Sequence, residues 1–164
     1  MDGRPRQNPA YRRARHLWAG NCDTSTVLPG PPSNLTHPWG NSETPYDEIG
    51  GDPSVRTLVE NFYDIIEDES PVLRKMLPAD TSGSRQKLYE YLSGWLGGPP
   101  LYAEKRGHPK LRMRHLPFAI GDAEAEEWMR CMSKAMTTSG VEAPLSAFLG
   151  QKLADLALHM RNQS

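Results

Sequence analysis

The segment GHPKLRMRHLPFAI, residues 107–120, concentrates side chains that can take part in chemistry. It carries two histidines, one lysine and two arginines beside a short apolar run. A helix over residues 109–115 would place Leu111 and His115 on one face, because residues four apart share a face. Pro117 disfavours the helical conformation at Leu116, so the helix should end near His115. The pattern predicts an imidazole on an apolar helix face, next to a cationic rim.

An imidazole in such a place has two interpretations. In the first, a ring nitrogen of His115 binds a haem iron, the flat apolar macrocycle fills the core, and the basic residues meet the propionates. In the second, His115 is a core residue whose ring hydrogen-bonds to a backbone carbonyl, which is the commoner role of a lone histidine. The spacing alone leaves both interpretations open.

Helical patterns on either side supply the elements that must position this segment. Apolar residues recur at steps of three and four across 55–66, 88–96, 128–136 and 145–160, and no strand pattern is present. Local signals predict the boundaries: a start at Pro53, a start near 82–84 that ends before GGPP, an N-cap at Asp122, and a last helix from about Glu142 to Met160. The sequence therefore predicts an all-α fold of four main helices with short connectors.

Composition limits the class of protein. The 164 residues include 19 Lys+Arg and 20 Asp+Glu, and the net charge of −1 argues against a nucleic-acid binder. No apolar run approaches the length of a membrane span, and the N-terminus lacks the apolar core of a secretory signal. Cys22 and Cys131 are too few for a disulfide scaffold or a zinc site of paired cysteines. These features predict a reduced, cytoplasmic protein.

The N-terminal 43 residues differ from the rest of the chain. They hold five arginines against three carboxylates, contain PGPPSN, and show no helical or alternating apolar pattern. We expect a disordered or loosely docked extension over 1–43 and a folded domain over 44–164. The alternative is an arginine-rich arm that touches an anionic partner or a membrane surface. Trp18 and Trp39 are the residues expected to dock onto the domain.

Five short sequence motifs carry more specific information about this chain than the helical spacing of its apolar residues does. They are YDEIGG (46–51), LVENFYDII (58–66), YLSGWLGGPPLY (91–102), GHPKLRMRHLPFAIGDAE (107–124) and EWMRCM (127–132). In this order and spacing they resemble the group II truncated haemoglobins, the bacterial two-on-two globins, from about Thr44 to the end of the chain. The resemblance implies a truncated two-over-two helical sandwich with one b-type haem (haem b, iron protoporphyrin IX). The Gly-Gly pairs at 50–51 and 97–98 match the family's hinges, since glycine permits tight chain reversals.

The resemblance also carries three ligand-binding roles onto this chain. His115 matches the proximal iron ligand, Tyr63 in NFYD matches the distal tyrosine, and Trp128 matches the distal tryptophan. Tyrosine and tryptophan each own a donor hydrogen, and such donors stabilise partial negative charge on an O2 ligand in a dry pocket. The alternative for Tyr63 and Trp128 is that both are ordinary core aromatics.

Further pocket positions are assigned with the same resemblance. Leu77 stands where the family often has an aromatic residue or histidine, Ser84 takes the distal position at the start of the next helix, and Leu88 is expected over the haem. The other residues expected around the haem or its propionates are Lys87, Tyr91, Leu92, Trp95, Tyr102, His108, Leu111, Arg112, Met113, Arg114 and Phe118. Each cation among them could equally be a solvated surface group.

The function implied by the resemblance is binding of O2, with CO and NO as further ligands, in oxygen binding or transport. The alternatives are a haem-dependent redox enzyme, acting on peroxide or removing nitric oxide, and a ligand sensor that works through the N-terminal extension. Because no reductase domain is attached, turnover would need an external electron donor. The sequence leaves open whether the chain forms a homodimer.

Overall fold

The computed structural model describes residues 34–164. Over that range the chain forms eight helices, and the only β-type pairing is a bridge between His37 and Gly40. In chain order the helices are α1 (Pro45–Ile49), α2 (Asp52–Glu69), α3 (Pro71–Arg74), α4 (Ser82–Trp95), α5 (Leu101–Arg106), α6 (Leu111–His115), α7 (Asp122–Thr138) and α8 (Leu145–Met160). The arginines of the N-terminal extension, Trp18 and Cys22 lie outside the described residues, so the character of that extension stays a prediction.

The four long helices form two packed pairs. Helices α2, α4, α7 and α8 have 18, 14, 17 and 16 residues. Helix α2 packs against both α4 and α7, and α7 packs against α8, so the contact between α2 and α7 joins the two pairs. Phe62, Met132 and Leu149 are almost fully buried where the helices meet. Among residues 34–164, no helix is both long enough and apolar enough to cross a membrane.

Tyr46 of α1 lies next to both glycine pairs. Gly50 has φ +111° and ends α1 in the left-handed region, which glycine enters without a steric penalty. The ring of Tyr46 lies directly on Gly98, where a Cβ would come within 2.5 Å of a ring carbon. The Tyr46 amide also donates to the Leu96 carbonyl at 2.9 Å. Glycine is therefore needed at 50 for the turn and at 98 for close approach.

Four predicted helix boundaries differ from the structure. Helix α2 begins at Asp52, one residue before Pro53. Helix α6 begins at Leu111 rather than Pro109, because Lys110 takes a left-handed φ of 46° that cannot continue a helix. The N-cap of α7 is Gly121 rather than Asp122, and the Gly121 amide donates to the Glu124 carboxylate at 2.9 Å. Helix α8 begins at Leu145 instead of near 142. The existence and order of the four main helices are as predicted.

Trp39 packs the residues before α1 against the rest of the domain. Its indole is buried, its Nε1 donates to the Ser42 carbonyl at 3.0 Å, and its ring packs on Phe148 of α8 with centroids 5.2 Å apart. The imidazole of His37 stacks on the same indole at 4.7 Å. The described end of the N-terminal extension is thus packed against α8.

Candidate functional site

A cavity of about 230 Å³ lies among helices α2, α3, α4, α6, α7 and α8. Most of its lining is apolar, with Ile66, Leu73 and Met160 among the walls. Phe118 also lines it and is 41% exposed, so the cavity reaches solvent on that side. An apolar cavity of about 150 Å³ accepts benzene, and this one has room for a larger flat apolar group.

His115 ends α6 at the cavity wall. Its Nδ1 donates to the Leu111 carbonyl one turn earlier, at 2.7 Å. That bond selects the tautomer in which Nε2 carries a free lone pair. Within residues 34–164, Nε2 takes part in no hydrogen bond, so it is available to a ligand in the cavity. Phe118 lies beside the imidazole, with ring centroids 6.4 Å apart.

The C-terminal residues hold the segment that carries His115. The side-chain amide of Asn162 donates to the carbonyls of His115 and Phe118 at 3.2 and 2.8 Å, and its oxygen accepts from the Ile120 amide at 3.0 Å. Arg112 donates to the carbonyls of His159 and Arg161. Because α6 has only five residues, these bonds supply rigidity that so short a helix lacks by itself.

Tyr63 of α2 and Trp128 of α7 line the same cavity. Tyr63 is 7% exposed, and burial raises the pKa of its phenol to about 12, while Arg85 and the Ser84 hydroxyl act in the opposite direction. The phenol is therefore protonated, and a donor, throughout the physiological pH range. The Trp128 ring meets Phe62 edge-on, with centroids 5.2 Å apart.

Comparison with known proteins shows which proteins this chain is similar to. The bacterial-like globin family matches residues 44–162. Group 2 truncated hemoglobin YjbI of Bacillus subtilis (strain 168) is 41% identical over 120 residues, covering 73% of this chain and 89% of that protein. The group II 2-on-2 hemoglobin of Agrobacterium tumefaciens superposes with a TM-score of 0.71 at 45% identity, covering 74% of this chain and 95% of that one. The truncated oxygen-avid haemoglobin of Bacillus subtilis gives a TM-score of 0.69 at 40% identity, covering 73% and 99%.

The chain belongs to the group II truncated haemoglobins. The family resemblance and the two-on-two fold that it implied are both confirmed. Membership implies a haem cofactor, and globins bind diatomic gases such as O2.

The residues at the cavity of this globin fit a haem. A porphyrin needs apolar walls for its faces, and the lining supplies them. Its iron needs a basic nitrogen, and His115 presents Nε2 while Nδ1 is held by a backbone carbonyl, which is the usual second partner of a ligating histidine. The same carbonyl bond also satisfies the core-histidine interpretation, so the cavity beside the ring is what favours a ligand role.

The structure brings part of the predicted site together. Seven of the predicted site residues line the cavity: Tyr63, Leu77, Tyr91, Leu111, His115, Phe118 and Trp128. They come from α2, the turn after α3, α4, α6, the turn after α6, and α7. Residues far apart in sequence therefore converge on one space.

The remaining predicted site residues lie outside the cavity lining: Ser84, Lys87, Leu88, Leu92, Trp95, Tyr102, His108, Arg112, Met113 and Arg114. Leu92 is buried in the core, whereas Met113 is 62% exposed instead of packed against the cavity. Tyr102 is buried against Tyr91, with centroids 6.4 Å apart. Arg112 is directed to C-terminal carbonyls rather than to the cavity.

The cations expected at the propionates have other surroundings in this structure. Lys87 is exposed on α4. Arg114 donates to the Pro109 carbonyl at 3.0 Å, and the Nδ1 of His108 accepts from the Lys110 amide at 3.1 Å. These bonds fold the segment before α6 back on itself.

Several lining residues were not among the predicted site residues. They are Phe62, Ile66, Leu73, Met76, Ile120, Glu124, Ala125, Leu156, Ala157 and Met160. Ala125 precedes Trp128 by three positions on α7, so helical spacing could have identified it. Asn162 holds the His115 segment through backbone carbonyls, and no sequence pattern marks such a contact.

Proposed function

We propose that this globin binds haem b with His115 as the protein ligand to iron, and that it binds O2 beside Tyr63 and Trp128. The observation that supports the proposal is the position of His115 at a cavity that both aromatic residues also line. When bound, haem would supply an iron centre with a coordination position for a diatomic gas.

The chain's own residues would prepare that centre in two ways. The Leu111 carbonyl fixes the tautomer and ring orientation of His115 and increases the basicity of Nε2. The apolar walls give a low local dielectric, which strengthens every electrostatic interaction inside the cavity.

The donors of Tyr63 and Trp128 would favour O2 over CO, because bound O2 carries more partial negative charge than bound CO does. An O–H or N–H aimed at developing negative charge stabilises it, and each such bond contributes about 1 kcal/mol or more in a dry site. Because the pKa of Tyr63 is raised to about 12, its proton stays in place for this role. The similarity to a relative described as oxygen-avid supports O2 as the ligand.

The experiment is an absorption spectrum of purified protein supplied with haemin, then reduced and exposed to CO. We expect an intense Soret band that shifts at both steps. In His115→Ala the band should be lost or strongly altered. His159→Ala, which removes an exposed imidazole from α8, is the matched control and should keep the wild-type spectrum. A wild type that takes up no haem, or an unchanged His115→Ala spectrum, would contradict the proposal.

A further inference from the structure

One face of α2 surrounds Tyr63 with carboxylates. Glu60, Tyr63, Asp64 and Glu67 follow one another at steps that place them together on the helix surface. Tyr63 is buried between these exposed or half-exposed acidic neighbours. A cation that pairs with all three carboxylates must therefore lie over the tyrosine.

Arg85 of α4 is that cation. Its two terminal nitrogens pair with Glu60 at 2.5 Å, with Asp64 at 2.8 Å and with Glu67 at 3.2 Å. A further hydrogen bond reaches the Glu60 backbone carbonyl at 3.2 Å. The fifth N–H, at Nε, donates to the Thr81 hydroxyl at 3.1 Å. All five donors of the guanidinium are thus engaged, and only 15% of the side chain is exposed.

The same arrangement joins the start of α4 to α2. Thr81, which precedes α4, donates to the Glu67 carboxylate at 2.5 Å. The guanidinium carbon of Arg85 lies 5.5 Å from the centroid of the Tyr63 ring. Ser84, the residue before Arg85, also contributes to the electrostatic environment of the Tyr63 phenol. The first turn of α4 is therefore held over Tyr63 by Arg85.

We propose that Arg85 is the positioning residue for Tyr63: by joining α4 to the three carboxylates of α2, it holds the phenol in one orientation and keeps water from it. The inference rests on the proposed role of Tyr63 as a donor to the gaseous ligand. Two effects act together. The bonds restrain the helix turn, and the positive charge makes the phenol a stronger donor, since Arg85 lowers the pKa that burial raises. Without Arg85, three carboxylates would repel one another beside the ring.

The test compares Arg85→Gln with Arg56→Gln in haem-loaded protein. Arg56 is a matched control because its guanidinium also lies over a tyrosine between α2 and α4: it is 3.9 Å from the ring centroid of Tyr89 and pairs with Asp52 at 2.8 Å. Tyr89 does not line the cavity. Two quantities are measured: the dissociation rate of O2 from the O2 complex and the infrared C–O stretching band of the CO complex.

For Arg85→Gln we expect O2 dissociation to become roughly threefold to tenfold faster, the change expected for one weakened hydrogen bond. The C–O band should broaden and move to higher frequency, because the ligand loses a fixed donor. Arg56→Gln should match wild type in the dissociation rate and in the C–O band, although this variant also loses an ion pair. In a Tyr63→Phe background, Arg85→Gln should add no further change, because its effect passes through the phenol.

The outcomes separate this inference from the proposed function. If wild type shows no Soret band, or if Tyr63→Phe alone changes neither quantity, the proposed function fails and the role of Arg85 fails with it. If Tyr63→Phe changes both quantities but Arg85→Gln does not, only the role of Arg85 is overturned. It is likewise overturned if Arg85→Gln keeps its full effect in the Tyr63→Phe background.

Discussion

The side-chain amide of Asn162 donates to the backbone carbonyl of His115 at 3.2 Å, across 47 positions of sequence. The Asn162 side chain forms two further hydrogen bonds with the loop between α6 and α7: it donates to the Phe118 carbonyl and accepts from the Ile120 amide. The residue that carries the candidate iron ligand is thus held by the end of the chain.

Asn162→Ala should loosen this loop and speed loss of haem. Each lost hydrogen bond costs about 1 kcal/mol, so we expect transfer of haem to an excess of apomyoglobin to accelerate by roughly fivefold or more. Ser164→Ala is the control, because the Ser164 side chain is exposed and forms no hydrogen bond with this loop. Equal transfer rates in Asn162→Ala and wild type would show that the loop is rigid without this side chain.

Tyr63→Phe should speed dissociation of O2 while leaving the fold intact. The substitution removes only a hydroxyl from a ring that is 7% exposed, so packing is retained and one donor is lost. We expect O2 to dissociate about tenfold faster, as measured by stopped-flow mixing. Since the pKa of Tyr63 is raised to about 12, the wild-type rate should stay constant from neutral pH to about pH 10. If the O2 dissociation rate instead changes with pH and the midpoint lies well below pH 10, another group controls dissociation.

Glu90→Gln should destabilise the domain in a pH-dependent way. Glu90 is 1% exposed, and burial would raise its pKa, but bonds from Gln86, Lys105 and Arg106 together lower it from 4.5 to about 2. A carboxylate with a lowered pKa stabilises the folded state fully above its ordinary pKa, and that stabilisation is lost as the pH falls towards the folded-state value.

We therefore expect Glu90→Gln to lower the free energy of unfolding by about 2 kcal/mol near neutral pH. The difference from wild type should shrink as the pH falls from 4.5 towards 2. Urea unfolding followed by circular dichroism at several pH values measures it. Glu126→Gln, at an exposed position of α7, should show little difference at any pH. A Glu90→Gln difference that does not vary with pH would exclude the charged pairing as its source.

Gly98→Ala and Gly150→Ala should change stability in opposite directions. An added Cβ at Gly98 would meet the Tyr46 ring at 2.5 Å, and overpacking of this kind costs about 1–3 kcal/mol. At Gly150, inside α8, nothing lies within 4 Å of an added Cβ, so alanine should stabilise the helix by up to about 1 kcal/mol. The midpoint temperatures of thermal unfolding of both variants and of wild type measure these changes in stability. A Gly98→Ala protein as stable as wild type would mean that Tyr46 moves aside freely.

Much of the fold could be predicted because its signals are local. Apolar residues at helical spacing marked α2, α4, α7 and α8, and the family strings placed one glycine pair before α2 and the other after α4. Local signals were less reliable at helix ends: Pro109 is a plausible helix start, yet Lys110 takes a left-handed conformation and α6 begins at Leu111. Backbone conformation at such a position depends on where the chain must go next.

The amino-acid sequence by itself determined the helical class, the family, and the presence of His115, Tyr63 and Trp128 at spacings typical of that family. Tertiary structure decided which apolar residues line the cavity. Helix α4 packs against both α2 and α5, so it buries two faces. The spacing of apolar residues therefore does not predict that Tyr91 lines the cavity while Leu92 lies in the core. Only the folded chain brings Arg85 over Tyr63 and Asn162 to His115, because hydrogen bonds between distant segments leave no spacing in the sequence.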